Sequence, residues 1–141
     1  MPYPEMLIAP MRGELVEIGA RELRTSAAVD EQLAGSGTVL LVVNSVCGCA
    51  AGKARPGIAM AMNHRTRPDV LATVFAGADI EATAKAREHL APYPASSPSM
   101  GLFRDGKLVW MMERRQIEGQ DAPSIARALT QAFDEHCEVR S

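Results

Sequence analysis

The chain has 141 residues, 47% of them apolar and 23% charged, with a formal charge of −2. That length supports one domain with a core that needs no disulfide staples. Interspersed charge signs and only 4% aromatic residues give no basis for nucleic-acid binding. No apolar stretch approaches the ~20 residues that span a bilayer. The start, Met1-Pro2-Tyr3-Pro4-Glu5, lacks the basic end and apolar core of a signal peptide. A cytoplasmic protein without membrane partners is expected: one domain over 1–141 that carries an extra N-terminal segment, 1–19.

In chain order, Met11, Leu15 and Ile18 recur at helical spacing and predict a short N-terminal helix that Gly19 stops. Residues 20–24 suit a short edge strand. Thr25 or Ser26 caps a helix to about Leu33, ended by Gly35-Ser36-Gly37. The run 38–46 is apolar on both faces and predicts a central strand. Residues 50–62, rich in Ala and Met, continue as a helix kinked at Pro56-Gly57. A strand over 70–75 follows, then a helix capped by Asp79 and ending at Leu90 before Pro92. Strands 99–103 and 108–113 flank Arg104-Asp105-Gly106-Lys107, where Asp-Gly signals a hairpin. The last helix starts at Asp121, places Pro123 in its first turn and runs to about Cys137. Its apolar stripe is Ile125, Leu129, Ala132 and Phe133, with His136 on the same face as a core histidine; His64 and His89 read as surface residues.

Strand–helix–strand, then a hairpin, then a helix gives parallel strands joined by a right-handed crossover, plus antiparallel strands. The predicted fold class is α/β: a thioredoxin-like, mixed four- to five-stranded sheet with helices on both faces.

Cys47-Gly48-Cys49 stands at the predicted junction between the central strand and the next helix. Backbone N–H groups point outward there and favour a thiolate. In a reducing cytoplasm a close cysteine pair is redox-active, redox-sensing or metal-binding rather than structural. A disulfide closed across one residue is a small, strained ring, easily reduced, and Gly48 is the residue that accepts unusual backbone angles. Position makes Cys47 the nucleophile and Cys49 the resolving thiol. Lys53 and Arg55 could add positive field, although a solvated helix face is the plainer reading of both. A metal or Fe–S carrier is the rival, with Cys137 or His64 completing the ligand shell; a redox sensor without turnover is another. Cys137 by itself reads as a partly buried free thiol, or else as a third redox partner or a site of thiol capping.

Ser96-Ser97-Pro98-Ser99 precedes a strand. A trans bond is the plain expectation for Ser97-Pro98; a cis bond would turn the backbone of Ser97 toward the cysteine turn, where a client segment could pair with it.

The stretch Asn44-Ser45-Val46-Cys47-Gly48-Cys49-Ala50-Ala51-Gly52-Lys53-Ala54-Arg55-Pro56 closely resembles the signature of the bacilliredoxins, thioredoxin-like proteins of bacteria that make bacillithiol. So do Ser96-Ser97-Pro98-Ser99 with the strand and hairpin after it, and Glu22-Leu23-Arg24-Thr25. The resemblance implies attack by Cys47 on a mixed disulfide between bacillithiol and a client protein, release of the client thiol, and Cys49 as resolving residue. It also implies that Pro98 is a cis-proline, that Gly48, Ser97 and Pro98 position the client, and that weak disulfide isomerase activity is possible. Lys53 or Arg55 would hold the carboxylates of bacillithiol. The cofactor expectation is that none is bound, no metal included, and that bacillithiol or a similar small thiol serves as co-substrate. The expected partners are bacillithiolated or disulfide-bonded client proteins and a thiol/disulfide reductase. General thiol–disulfide reductase or isomerase activity stands as the nearest alternative.

Overall fold

A computed structural model of the chain describes residues 2–139. Its elements are α1 (Glu5–Val16), β1 (Arg21–Glu22), α2 (Ser26–Ala34), β2 (Thr38–Asn44), a π-helical turn (Ala50–Ala54), α3 (Arg55–Ala61), β3 (Val70–Phe75), α4 (Ile80–His89), β4 (Ser99–Arg104), β5 (Lys107–Met112), α5 (Arg114–Glu118) and α6 (Ala122–His136). The five strands form one sheet in the order β1-β3-β2-β4-β5. β1, β3 and β2 run parallel, and β4 and β5 are antiparallel to their neighbours. This is the mixed sheet that the sequence predicts.

β2 lies in the middle because both of its faces are apolar. Side chains alternate along a strand, so Leu40 and Val42 enter one core with Leu15, Ile58, Ile125, Leu129 and Phe133. Val39, Leu41 and Val43 enter the other, with Val29, Leu33, Ala82, Ala86 and Leu90. Helices α1, α3 and α6 thus cover one face, and α2 and α4 the other. The stripe predicted for α6 is buried, whereas His136 is only half-buried at its edge, near Glu135, and is no core residue. The turn between β4 and β5 has positive φ at Asp105 (51°) and Gly106 (81°), the backbone that the Asp-Gly signal demands.

Several expectations change. β2 ends at Asn44, because Ser45 already takes part in the turn beyond it. Where a kink is expected at Pro56-Gly57, the irregularity is a π-helical turn just upstream: the Arg55 N–H reaches back to the Ala50 carbonyl, and Pro56 stands in the first turn of α3. Gly57 instead lets α3 approach α6, since a Cβ there would stand 2.7 Å from Ile125 Cγ2 and 3.2 Å from the Ala122 carbonyl. Thr25 caps α2 by accepting from the Ala28 N–H at 3.0 Å. Asp79 does not cap α4 with its side chain. Its carboxylate accepts from Arg12 Nη1 and Nη2, both at 2.8 Å, and from the Phe75 N–H at 3.0 Å. α1 is longer than predicted and buries Ile8, Arg12 and Leu15, a face set by spacings of four and three rather than by Met11, Leu15 and Ile18.

Candidate active site

The cysteine turn rests on a floor of buried polar groups: Asn44, Ser45 and Arg55 are 1%, 7% and 3% exposed. Asn44 Oδ1 accepts from the Ser45 N–H (2.9 Å) and from Arg55 Nη1 (2.9 Å), while its amide donates to the Met11 carbonyl of α1 (3.2 Å). Arg55 Nη1 also donates to the Ser45 carbonyl at 2.9 Å, and Nε lies 3.1 Å from Glu14 Oε1. Ser45 Oγ accepts the Cys47 N–H at 3.1 Å. Arg55 is therefore a brace beneath the turn, not a solvated residue: its charge is committed to α1 and to the end of β2.

Above this floor Cys47 stands where a helix cap stands. Its carbonyl accepts from the Ala50 N–H (3.0 Å) and the Ala51 N–H (3.3 Å), and its Sγ accepts from the Cys49 N–H at 3.4 Å. Sulfur thus does what a Ser or Asp oxygen does at an N-cap, and a negative charge on it is favoured. The Cys49 backbone N–H is the foremost cause that holds the Cys47 thiol below its ordinary range; the Cys49 side chain, the charge of Arg114 and the Ala50 N–H add to it, against the opposing effect of burial. Cys49 moves the other way, raised by burial first and then by Cys47 and Glu118. Gly48 is exposed and its φ is not positive, so the reduced turn makes no use of glycine's conformational freedom. A Cβ there would meet nothing within 4 Å. The glycine leaves the outer side of the turn uncovered.

The Ser97-Pro98 bond is cis, as the family resemblance implies; Ala91-Pro92 is cis too, which the sequence reading did not anticipate. Pro98 is buried at the start of β4, and Ser99 Oγ ties back to the Ser96 carbonyl at 2.9 Å. The Ser97 carbonyl already accepts one hydrogen bond within the chain, from Arg114 Nη1 at 3.1 Å.

Arg114 is the residue that sequence reasoning missed, together with the whole of α5. Its backbone N–H lies 3.4 Å from Ser96 Oγ, and its Nε donates to Glu118 Oε1 at 3.0 Å. The charge expected from Lys53 or Arg55 comes from Arg114 instead. Lys53 Nζ donates to the Glu118 carbonyl at 2.6 Å and so fastens α5 to the π-helical turn. A signal was present: Glu113 and Gln116 form a reciprocal capping box, with Gln116 Oε1 accepting the Glu113 N–H at 2.9 Å.

The ligand shell considered for a metal is not assembled here. His64 pairs with Asp134 at 2.9 Å, and Cys137 lies beside Thr38 and Arg104, at the opposite end of β2 from Cys47. Among the described residues no group of three or more His, Cys, Asp or Glu could hold a metal ion. Cys137 is half-buried and its thiol is raised by burial; its place at the far end of β2 keeps it from serving as a third partner in direct exchange with the pair.

Two thiols of opposite tendency at a strand–helix junction, near a cis-proline loop on a thioredoxin-like sheet, define a thiol–disulfide oxidoreductase. Solved structures agree on the fold: a thioredoxin mutant from Halobacterium salinarum superposes with a TM-score of 0.59 at 17% identity, over 88% of this chain and 96% of that one. Fasciola hepatica thioredoxin gives 0.58 at 19%, over 82% and 98%. A family model described as disulphide isomerase matches residues 3–137. A bacilliredoxin of Koribacter versatilis is 54% identical over 96% of this chain and 94% of its own, and one of Halalkalibacterium halodurans is 50% identical over 96% and 95%. The chain belongs to the bacilliredoxin family.

The divergence of the two thiols has a measurable consequence. Thiolate is the form that alkylates. A lowered Cys47 should therefore react with iodoacetamide along a profile whose midpoint falls below that of an ordinary thiol, and Cys49 along one above it. Peptide mass spectrometry of partly alkylated protein across pH separates the two; coincident profiles would contradict the split.

Proposed function

We propose that this oxidoreductase removes bacillithiol from mixed disulfides on client proteins, with Cys47 as nucleophile and Cys49 as resolving thiol. The observation that carries the assignment is the split within one turn, where the Cys49 N–H points at Cys47 Sγ and burial raises the Cys49 thiol. In the first step the Cys47 thiolate attacks the bacillithiol sulfur. A Cys47–bacillithiol disulfide forms, and the client leaves as a thiolate that takes up a proton. In the second, Cys49 gives its proton to solvent and attacks Cys47 Sγ, which expels bacillithiol thiolate and leaves a Cys47–Cys49 disulfide. Two electrons from a small thiol or a thiol reductase restore the starting pair. Gly48 leaves the approach open, and Ser97 and Pro98 shape the other side of the site. The reaction calls for a reducing compartment such as the cytoplasm, and for no bound metal or nucleotide.

Mass spectrometry after exposure to a bacillithiolated protein tests the roles. Cys49→Ala should accumulate one bacillithiol adduct and Cys47→Ala none; an adduct that persists in Cys47→Ala overturns the assignment. Reduction of a protein–protein disulfide as fast as bacillithiol removal would assign a general reductase instead.

A further inference from the structure

Arg114 does more than add charge. Two of its three guanidinium nitrogens are committed, Nε to Glu118 and Nη1 to the Ser97 carbonyl, which fixes the plane of the group. Lys53 on the Glu118 carbonyl holds α5 in place behind it. Nη2 keeps two N–H donors with no acceptor among the described residues, and the side chain is 42% exposed. A guanidinium held in this way presents donors that match a carboxylate, and a half-exposed one can be reached by it.

The same contacts weaken the competing mode of recognition. A client strand that pairs with the proline loop would use the N–H and the carbonyl of Ser97, and Arg114 already occupies one of the carbonyl's two acceptor positions. Arg114 thus competes with a client backbone for that oxygen while its charge acts on the Cys47 sulfur. We infer that Arg114 is the specificity-determining residue of this site, the group that takes a carboxylate of the low-molecular-weight thiol carried by the mixed disulfide. This rests on the function proposed above and names the part of the substrate that the protein reads. The bonds made and broken are those already given; Arg114 holds the small thiol while its sulfur moves from client to Cys47.

The test uses one client protein in two forms, carrying bacillithiol or 2-mercaptoethanol, the second without a carboxylate. Turnover by wild type, Arg114→Gln and Arg114→Lys is measured on the alkaline plateau where Cys47 is wholly thiolate, so that a shifted ionisation does not contribute. Arg114→Gln should lose about tenfold or more in kcat/KM with the bacillithiol form, mainly through KM, and at most about threefold with the other. Arg114→Lys, which keeps the charge but not the fork, should recover part of the loss. Equal losses on both forms in both variants overturn the inference and leave the oxidoreductase roles intact. A wild type that fails on the bacillithiol form, yet acts on the other, overturns both.

Discussion

Cys47→Ser is expected to lower turnover of a mixed-disulfide client by at least about 10³-fold, whereas Cys49→Ser should leave the first exchange step within about threefold of wild type. A serine hydroxyl at position 47 can still accept the Cys49 N–H and cap the turn, so the fold survives while the nucleophile is lost. At position 49 the backbone N–H that faces Cys47 Sγ is untouched, and a hydroxyl replaces the thiol as a side-chain donor. The nucleophile's ionisation then moves little; even a shift of about one pH unit would alter its rate only about threefold, because a more basic thiolate is also a better attacker. What Cys49→Ser loses is repeated turnover, which should return when a small thiol is supplied to resolve the adduct. Stopped-flow single-turnover and steady-state assays on the same client distinguish these steps. Cys47→Ser with more than a tenth of wild-type activity would remove Cys47 from its role.

The second large effect is structural. Asp79→Ala is expected to destabilise the protein by about 3 kcal/mol, because it strips a buried guanidinium of its bidentate partner and also leaves the Phe75 N–H without its acceptor. Both side chains of the pair are almost fully buried, at 7% and 6% exposure, and Arg12 is held above its ordinary range chiefly by its bond to Asp79. Glu5 and Glu22 remain near Arg12 and keep the loss from being larger. The melting temperature should fall by about 10 °C, and the denaturant midpoint should drop with an unchanged slope. Arg12→Met combined with Asp79→Ala should recover part of the loss, since an apolar pair leaves no buried charge behind. A single-mutant change below about 1 kcal/mol would show that the pair contributes little. The expectation bears on the site too, for the helix that Arg12 anchors supplies Met11 to Asn44 and Glu14 to Arg55.

The cysteine pair was visible in the sequence because β2 is a rare run apolar on both faces, and the chain after it changes to helical composition. The hairpin was visible because Asp105 and Gly106 take the positive φ angles that their residue types tolerate. Arg55 and Asp79 were misread for a common reason. A charge in an Ala-rich helix and an Asp before a helix have obvious local explanations, while their true partners are far off in the chain: Glu14, Asn44 and Ser45 for one, Arg12 for the other. α5 went unseen because it has only five residues and its capping box is led by Glu113, a residue seldom used as a cap. With it went Arg114, whose relation to the pair exists only once β4, β5 and α5 have folded across the end of β2.

Cys137 rounds out the geometry. It sits by Thr38 at one tip of the central strand, with Cys47 past the other tip, and a strand of that length keeps them about 20 Å apart. The molecule is in that sense bipolar in sulfur. At that separation a group captured on one sulfur cannot be handed directly to the other, whose approach would have to close to about 7 Å or less between Cα atoms.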